Sequence, residues 1–168
     1  MSTIENLFEE KAIEKLQKLI SDTKTCLFCT DLTSLPITTR PMASTKVDDA
    51  GNLWFISSAQ SNKNFEIKTD NRVQLFYTNN SDSEFLTVYG NAQIFKDKVI
   101  IEKLWSPIAK AWFEEGKKDS DVSVICVKPS DVHYWDNKNG KIISLLKIAT
   151  QAATGLKMDI GREGDLKF

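Results

Sequence analysis

The sequence predicts an α+β protein built on a small, mainly antiparallel β-barrel. Three observations lead to this fold class. The N-terminal residues have the apolar spacing of a helix, five strand-like segments follow closely between residues 25 and 95, and helical spacing returns after Phe95. Because strands joined by short links tend to be antiparallel neighbours, five in a row predict a meander that closes into a barrel.

The first element is a predicted helix over residues 3–20. Ser2, followed three residues later by Glu5, resembles a capping box. Apolar side chains recur every three or four residues, as expected for a helix with one buried face. These side chains are Leu7, Phe8, Ala12, Leu16, Leu19 and Ile20.

The next five elements are predicted strands, each rich in β-branched and aromatic residues. Their sequences are TCLFCTDL, PITTRPMASTKV, NLWFIS, RVQLFYT and EFLTVYGNAQIF, with turn signals at residues 34–36, 48–52 and 78–83. The turn DDAGN at residues 48–52 is typical of a hairpin. If this hairpin pairs the strands on either side of it, residue 40 lies beside residue 59 or so.

After Phe95 the pattern predicts two short amphipathic helical segments within residues 97–119, with a break at Pro107 and an end at Gly116. SVICVKPSDVHYWD is a further predicted strand and KIISLL is the last one. Residues 147–168 are predicted to form a short helix followed by a charged tail. No repeat or linker indicates a second domain, so we expect one domain over residues 1–168 with its core at about 10–146.

The composition is that of an ordinary soluble globular protein, with 41% hydrophobic and 27% charged residues. A formal net charge of −1 favours neither nucleic acid nor an anionic membrane surface as a partner. No apolar run approaches the ~20 residues that span a bilayer. The N-terminus is acidic and amphipathic, unlike a secretory signal, so a cytoplasmic location is expected.

Three cysteines, an odd number, argue against a disulfide framework. Cys26 and Cys29 have C-x-x-C spacing, but they lie in a predicted strand that would direct the two thiols to opposite faces. We therefore predict cysteines that pack in the core and no metal site. His133, the single histidine, is expected to be structural, and no motif for hydrolysis or nucleoside triphosphate binding is present.

The stretch FISSAQSNKNFEI, residues 55–67, places hydroxyls and a lysine where a buried strand passes into a short helix. Ser58, Ser61 and Asn62 are good helix N-cap residues. The exposed N–H groups at a helix start also attract phosphate, so the stretch could be an anion site beside Lys63. Capping and anion binding are compatible with each other.

Arg40 lies in the middle of a predicted strand, next to Pro41, and needs a partner there. It could pair with a carboxylate such as Asp31 or Glu66, or it could bind a phosphate through its guanidinium. The predicted hairpin would bring Arg40 towards the residue 57–63 region. This convergence favours the anion-site hypothesis.

Five motifs occur in the order TRPM, FISSAQSNK, VYGNAQIFKDK, LWSPIAKAWFEEG and YWD. In this order they resemble the pyridoxamine 5′-phosphate oxidase-like flavoproteins, and most of all the general stress protein 26 branch of that family. The resemblance covers about residues 10–145. It implies an FMN-binding split β-barrel, with the helices outside, that forms a homodimer with flavin at the subunit interface.

The resemblance also implies a role for each matching residue. Arg40 and Lys63 would bind the FMN phosphate, and Asn62 stands where oxidases of the family often carry an arginine, which implies weaker or altered phosphate binding. Trp105 and Trp112, seven residues apart, would share one helical face and reach towards the flavin of the other subunit. The residues assigned to the flavin are Arg40, Pro41, Met42, Ile56, Ser57, Ser58, Asn62, Lys63, Trp105, Trp112 and Phe113.

The function implied is that of an FMN-dependent oxidoreductase with an unknown substrate and redox partner. The alternative is a protein that binds or buffers flavin without turnover, and deazaflavin or haem binding is less favoured because His133 is the only imidazole. The C-terminal sequence KMDIGREGDLKF has no tryptophan, unlike the segment that closes the substrate site of true oxidases. This difference argues against oxidation of pyridoxamine phosphate itself. No side chain is predicted to be catalytic.

Overall fold

Antiparallel strands dominate the computed structural model, which describes residues 3–106, 109–137 and 161–168. The strands are β1 (Thr3–Ile4), β2 (Leu7–Phe8), β3 (Thr25–Thr30), β4 (Thr38–Ala43), β5 (Lys46–Val47), β6 (Leu53–Ser58), β7 (Arg72–Asn79), β8 (Glu84–Phe95), β9 (Val122–Asn137) and β10 (Gly161–Lys167). The helices are α1 (Glu9–Thr23), α2 (Asn62–Thr69) and α3 (Lys98–Leu104), followed by 3-10 turns at Ala109–Ala111 and Gly116–Lys118.

The central strands close into a ring that is split at one point. Strand β3 pairs with β4 and β7, and the ring continues through β8, β9 and β6 to β5. Strand β4 runs into β5 through Ser44 and Thr45, whose amides bond to Lys24 and Trp54. No strand pairing joins β4 to β6 in the described part of the chain, so the ring opens between them. The predicted α+β split barrel is confirmed.

The hairpin at residues 48–52 is shorter than predicted. It pairs Lys46 with Trp54 and Val47 with Leu53, after which the two strands part. Arg40 lies opposite Phe28 of β3 and not beside residue 59. The predicted register is wrong because the chain leaves the strand at Ser44 and Thr45 and changes its pairing partner there.

The barrel interior is filled by side chains that alternate inward along each strand. Phe28 and Phe55 meet edge to face at the centre, with ring centroids 5.2 Å apart. Helix α1 covers this core with four buried residues, Ala12, Leu16, Leu19 and Ile20. A second, smaller apolar cluster lies under α3 and comprises Ile101, Leu104, Phe113, Val122 and Val124.

The N-terminal prediction is partly wrong. The helix begins at Glu9 because β1 and β2 pair in parallel with the C-terminal strand β10. Residues 161–167 are a strand and not a charged tail, whereas the predicted strand at 141–146 and the predicted helix after 147 lie outside the described residues. A single sequence does not show this junction of the two termini, because neither segment forms a strand without the other.

A buried ion-pair network joins the two terminal segments to the barrel. The Asp136 carboxylate on β9 accepts a hydrogen bond from Lys15 of α1. It also accepts two from Arg162 on β10, one from Nε and one from Nη2, both at 2.8 Å. Arg162 also donates to Glu5. Burial raises the pKa of Asp136, but the bonds from Arg162 and Lys15 outweigh it and hold that pKa below its ordinary value.

The three cysteines are free, as predicted, and Cys26 and Cys29 are buried. Burial raises the pKa of the Cys26 thiol to about 12 and that of Cys126 to about 11. The described residues contain no cluster of histidine, cysteine and acidic side chains that could hold a metal ion. In the same part of the chain no helix is long and apolar enough to cross a bilayer.

Candidate functional site

Helix α2 is anchored by a buried polar network at the end of the barrel where β6 stops. The Ser57 hydroxyl donates to Asn64 Oδ1 at 2.9 Å, and Asn64 Nδ2 donates to Ser123 Oγ at 2.9 Å. Ser123 in turn donates to the Ser57 carbonyl at 3.0 Å. All three side chains are buried, so the network fixes the start of α2 against β6 and β9.

The serines that precede α2 build the turn into it. The Ser58 carbonyl accepts bonds from the Ser61 amide and hydroxyl, and Ser58 Oγ accepts from the Gln60 amide. Ser61 occupies the N-cap position, but its side chain makes no capping bond. In the described part of the chain, nothing accepts a hydrogen bond from the amides of Asn62 and Lys63. The helix therefore begins with free donors, as an anion site requires.

Arg40 has a carboxylate partner. Its Nη2 lies 2.8 Å from Glu66 Oε2 on α2, and its Nη1 donates to Thr30 Oγ1 on β3. Thr30 also donates to Glu66, so the three side chains join β3, β4 and α2. Burial raises the pKa of Glu66, but the bonds from Thr30 and Arg40 outweigh this and lower it overall. One edge of the guanidinium is thus occupied.

Lys63 is half-buried beside Arg40. Burial lowers the pKa of its ammonium group, and the neighbouring positive charge of Arg40 lowers it further. Asp121 and Glu66 act in the opposite direction from a distance. No ion pair or hydrogen bond to Lys63 occurs among the described residues. Two cations therefore lie close together at the start of α2, and only Arg40 has a direct counter-ion.

The other predicted flavin residues near this site have different surroundings. Pro41 is exposed on β4 and Asn62 is exposed at the start of α2. Met42 is 8% exposed and packs inside the barrel. Ile56 lies on the face of β6 that is turned away from the barrel interior, and it packs against the second apolar cluster. The structure thus brings Arg40 and Lys63 together at the surface and directs Met42 and Ile56 into apolar cores.

The predicted aromatic residues do not lie on one helix. Helix α3 ends at Leu104, so Trp105 only caps it, and the next turn is a 3-10 turn. The prediction that Trp105 and Trp112 share a helical face is therefore wrong. Trp105 packs on the buried Phe113, with ring centroids 6.1 Å apart, whereas Trp112 is 81% exposed.

Sequence reasoning did not identify Thr30, Asn64 and Ser123 as parts of this site. Each is a polar residue at 1% exposure or less, and each lies in or beside an apolar segment of the sequence. A polar residue that is buried within or beside an apolar segment needs a hydrogen-bond partner, and this need was the available signal. The identity of that partner depends on the barrel, because Asn64 and Ser123 are 59 residues apart.

Comparison with known proteins identifies relatives of the whole barrel. The family model described as pyridoxamine 5′-phosphate oxidase like matches residues 11–159. Protein bli-3 of Neurospora crassa is 27% identical over 125 residues, which are 69% of this chain and 60% of bli-3. The chain thus spans less than two thirds of the length of that relative.

Several solved structures have the same fold. A protein provisionally named general stress protein 26 from Jannaschia sp. CCS1 superposes with a TM-score of 0.76 at 19% identity, over 92% of this chain and 97% of that one. The general stress FMN/FAD binding protein of Xanthomonas citri superposes with a TM-score of 0.66 at 22% identity, over 76% and 90% of the two chains. General stress protein 26 of Bacillus anthracis gives 0.64 at 22% identity, over 73% and 92%.

These structural likenesses establish the fold, and the match of the family model over residues 11–159 establishes the relationship. The likenesses agree with the split barrel described above. The chain belongs to the pyridoxamine 5′-phosphate oxidase-like family.

Proposed function

We propose that this protein binds FMN and holds the flavin phosphate at the start of α2. The observation that carries the proposal is the half-buried Lys63, which has no ion-pair partner among the described residues and lies beside Arg40. A cation without a counter-ion next to free helix amides is suited to a phosphate dianion. The X. citri protein with this fold is an FMN/FAD binding protein, in keeping with such a ligand.

The contacts described above support a different role for each of the predicted residues. The Lys63 ammonium and the amides of Asn62 and Lys63 would hold the phosphate directly. Arg40 has N–H groups left beyond those bonded to Thr30 and Glu66, and it would add a second charge. The Ser57 hydroxyl is engaged with Asn64, so its role is to position α2. With the neutral Asn62 at the surface, two cations rather than three would face the phosphate.

A homodimer with flavin at its interface is part of this proposal. Exposed apolar side chains lie on and next to β4: Leu27, on the opposite face of the sheet from Arg40, is 51% exposed, and Leu35 and Ile37, just before β4, are 88% and 45% exposed. Exposed apolar residues grouped in this way are typical of protein interfaces. A second copy placed there would cover them and the neighbouring flavin site. The three free cysteines suit the reducing cytoplasm in which we place the protein.

A bound flavin would serve one of two functions, redox catalysis or flavin storage. As a cofactor, flavin supplies hydride and electron transfer, and the chain supplies binding and orientation. We favour an oxidoreductase with an unidentified substrate over a protein that only stores or buffers flavin. Steady-state oxidation of NADH or NADPH in the presence of FMN and common acceptors separates the two, because a storage protein gives no sustained turnover.

The first experiment is a visible absorption spectrum of the purified protein, before and after FMN is added, with gel filtration of both samples. We expect a flavin spectrum that co-elutes with a dimer. A protein that stays colourless in excess FMN would refute flavin binding, and elution as a monomer with flavin bound would refute the interface site.

A further inference from the structure

A cavity of about 470 Å³ lies between helix α2 and strand β8. Its volume falls in the range of small-molecule sites, which is ~300–1,000 Å³. Neither Arg40 nor Lys63 lines it, and of the residues described for the phosphate site it shares only Asn64, which anchors α2. The cavity is therefore distinct from the site proposed for the flavin phosphate.

The floor of the cavity is apolar. Ala59, Ile67 and Ala92 line it and are each 5% exposed or less. Ile94, two residues after Ala92 and on the same face of β8, also lines it and packs against the main core. Such a floor favours an aliphatic or aromatic body, because contact with it removes apolar surface from water.

Two lysines line the same cavity, Lys68 near the end of α2 and Lys96 just after β8. Both are exposed, and neither forms an ion pair among the described residues. The described lining contains no carboxylate, and the nearest one along the chain, Asp97, caps α3. Two positive charges without a facing carboxylate favour an anionic group on the ligand.

Asn64 adds a buried donor to the lining. Ser123 Oγ gives its one proton to the Ser57 carbonyl, so it accepts from Asn64, and this fixes which side of the amide is nitrogen. An amide nitrogen carries two N–H groups, and the second finds no acceptor among the described residues. Asn64 is 1% exposed, so an oxygen atom in the cavity would satisfy a donor that is otherwise costly to bury.

We propose that this cavity binds a small organic acid with an apolar body. The carboxylate would pair with the ammonium groups of Lys68 and Lys96, and the free Asn64 N–H would donate to an oxygen of the ligand. The body would lie on Ile67 and Ile94. The described lining has no arginine and no helix N-terminus, which favours a carboxylate over a phosphate.

The test uses 2-naphthoate as the probe and 2-naphthamide, which has the same apolar body and no charge, as its control. Binding is measured by titration calorimetry on the purified full chain. We expect 2-naphthoate to bind about tenfold more tightly. Lys68→Gln combined with Lys96→Gln should remove this preference and leave 2-naphthamide binding unchanged. Lys11→Gln combined with Lys46→Gln removes the same charge from exposed lysines outside the cavity and should change nothing.

Nuclear Overhauser effects locate the probe. They should connect 2-naphthoate to the methyl groups of Ile67 and Ile94, whose signals are assigned with Ile67→Val and Ile94→Val. Lys63→Ala should leave 2-naphthoate affinity unchanged, and FMN should not displace the probe. Equal affinities for the two probes, no binding of either, no contact with the two isoleucines, or loss of binding in Lys63→Ala would each overturn the proposal. Failure of FMN to bind, with 2-naphthoate binding retained, would refute only the flavin site.

Discussion

Replacing Lys63 by alanine is the change that most directly tests the phosphate site. Lys63 has no ion-pair partner among the described residues, so its removal breaks no ion pair or hydrogen bond there. Arg40 differs, because it bonds to Glu66 and Thr30 and its loss would leave the Glu66 carboxylate without its cation. The effect of Lys63→Ala on FMN affinity therefore reports the contact with the ligand more directly than the effect of Arg40→Ala does.

The expected loss is that of one charge-assisted hydrogen bond, about 1.5–3 kcal/mol, or roughly a 10- to 150-fold increase in the FMN dissociation constant. Arg40→Ala should cost less FMN affinity than Lys63→Ala, because Glu66 already neutralises part of the Arg40 charge. For the same reason Glu66→Gln should tighten FMN binding, since it removes a negative charge beside the phosphate.

Quenching of flavin fluorescence measures FMN and riboflavin on the same scale. Riboflavin lacks the phosphate, so its affinity should be the same in wild type, Lys63→Ala and Glu66→Gln. Lys68→Ala is the matched control, because it removes an exposed lysine from the other end of the same helix and should change neither affinity. Equal losses of FMN and riboflavin affinity in Lys63→Ala would refute the phosphate assignment.

Three further outcomes concern stability and reactivity. Asp136→Asn should lower the free energy of unfolding by about 3–5 kcal/mol, since it removes the carboxylate that pairs with the partly buried Lys15 and Arg162 and leaves Arg162 only its bond to Glu5, whereas the exposed Asp22→Asn should change it by less than ~0.5 kcal/mol, both by urea denaturation. Because the folded-state pKa of Asp136 is depressed, its stabilisation is complete above the ordinary aspartate pKa of about 4 and is lost as the pH falls below that value, so the urea midpoints of wild type and Asp136→Asn should converge in acid. Gly164→Ala should destabilise by about 1–3 kcal/mol, because its Cβ would lie 2.1 Å from the Glu5 carbonyl oxygen; a wild-type melting curve would contradict this. Because Cys26 and Cys29 are buried and burial raises the pKa of Cys126 to about 11, a disulfide reagent at pH 8 should find no fast-reacting thiol in the folded protein and three after unfolding.

The strands were predictable because their signal is local. Alternating or continuous apolar residues between turn residues located β3, β6, β7, β8 and β9 to within two positions at each end. The break within the predicted strand 36–47 was not visible, because Ser44 and Thr45 leave β4 for hydrogen bonds to distant residues. The late start of α1 has the same cause, since β1 and β2 depend on pairing with β10.

The candidate site was also predictable only in part: the sequence indicated which residues take part, but not which partners they have. The sequence indicated that Arg40 needs a partner, and the alternatives were a carboxylate such as Asp31 or Glu66 and a phosphate. The structure supplies Glu66 and yet leaves Lys63 unpaired among the described residues. It also turns Ser57 towards Asn64, where sequence reasoning offered it to the ligand. Which polar group meets which is set by the approach of elements far apart in the chain.

The sequence by itself determined the α+β class, the family and the residue types available at the start of α2, because periodicity, turn chemistry and short motifs are properties of neighbouring residues. Only the tertiary structure decided which of those residues remain available to a ligand. It also brought His133 together with Asp165, 32 residues away, by pairing β9 with the C-terminal strand. Such pairings form only when the barrel buries enough apolar surface to hold distant segments in register.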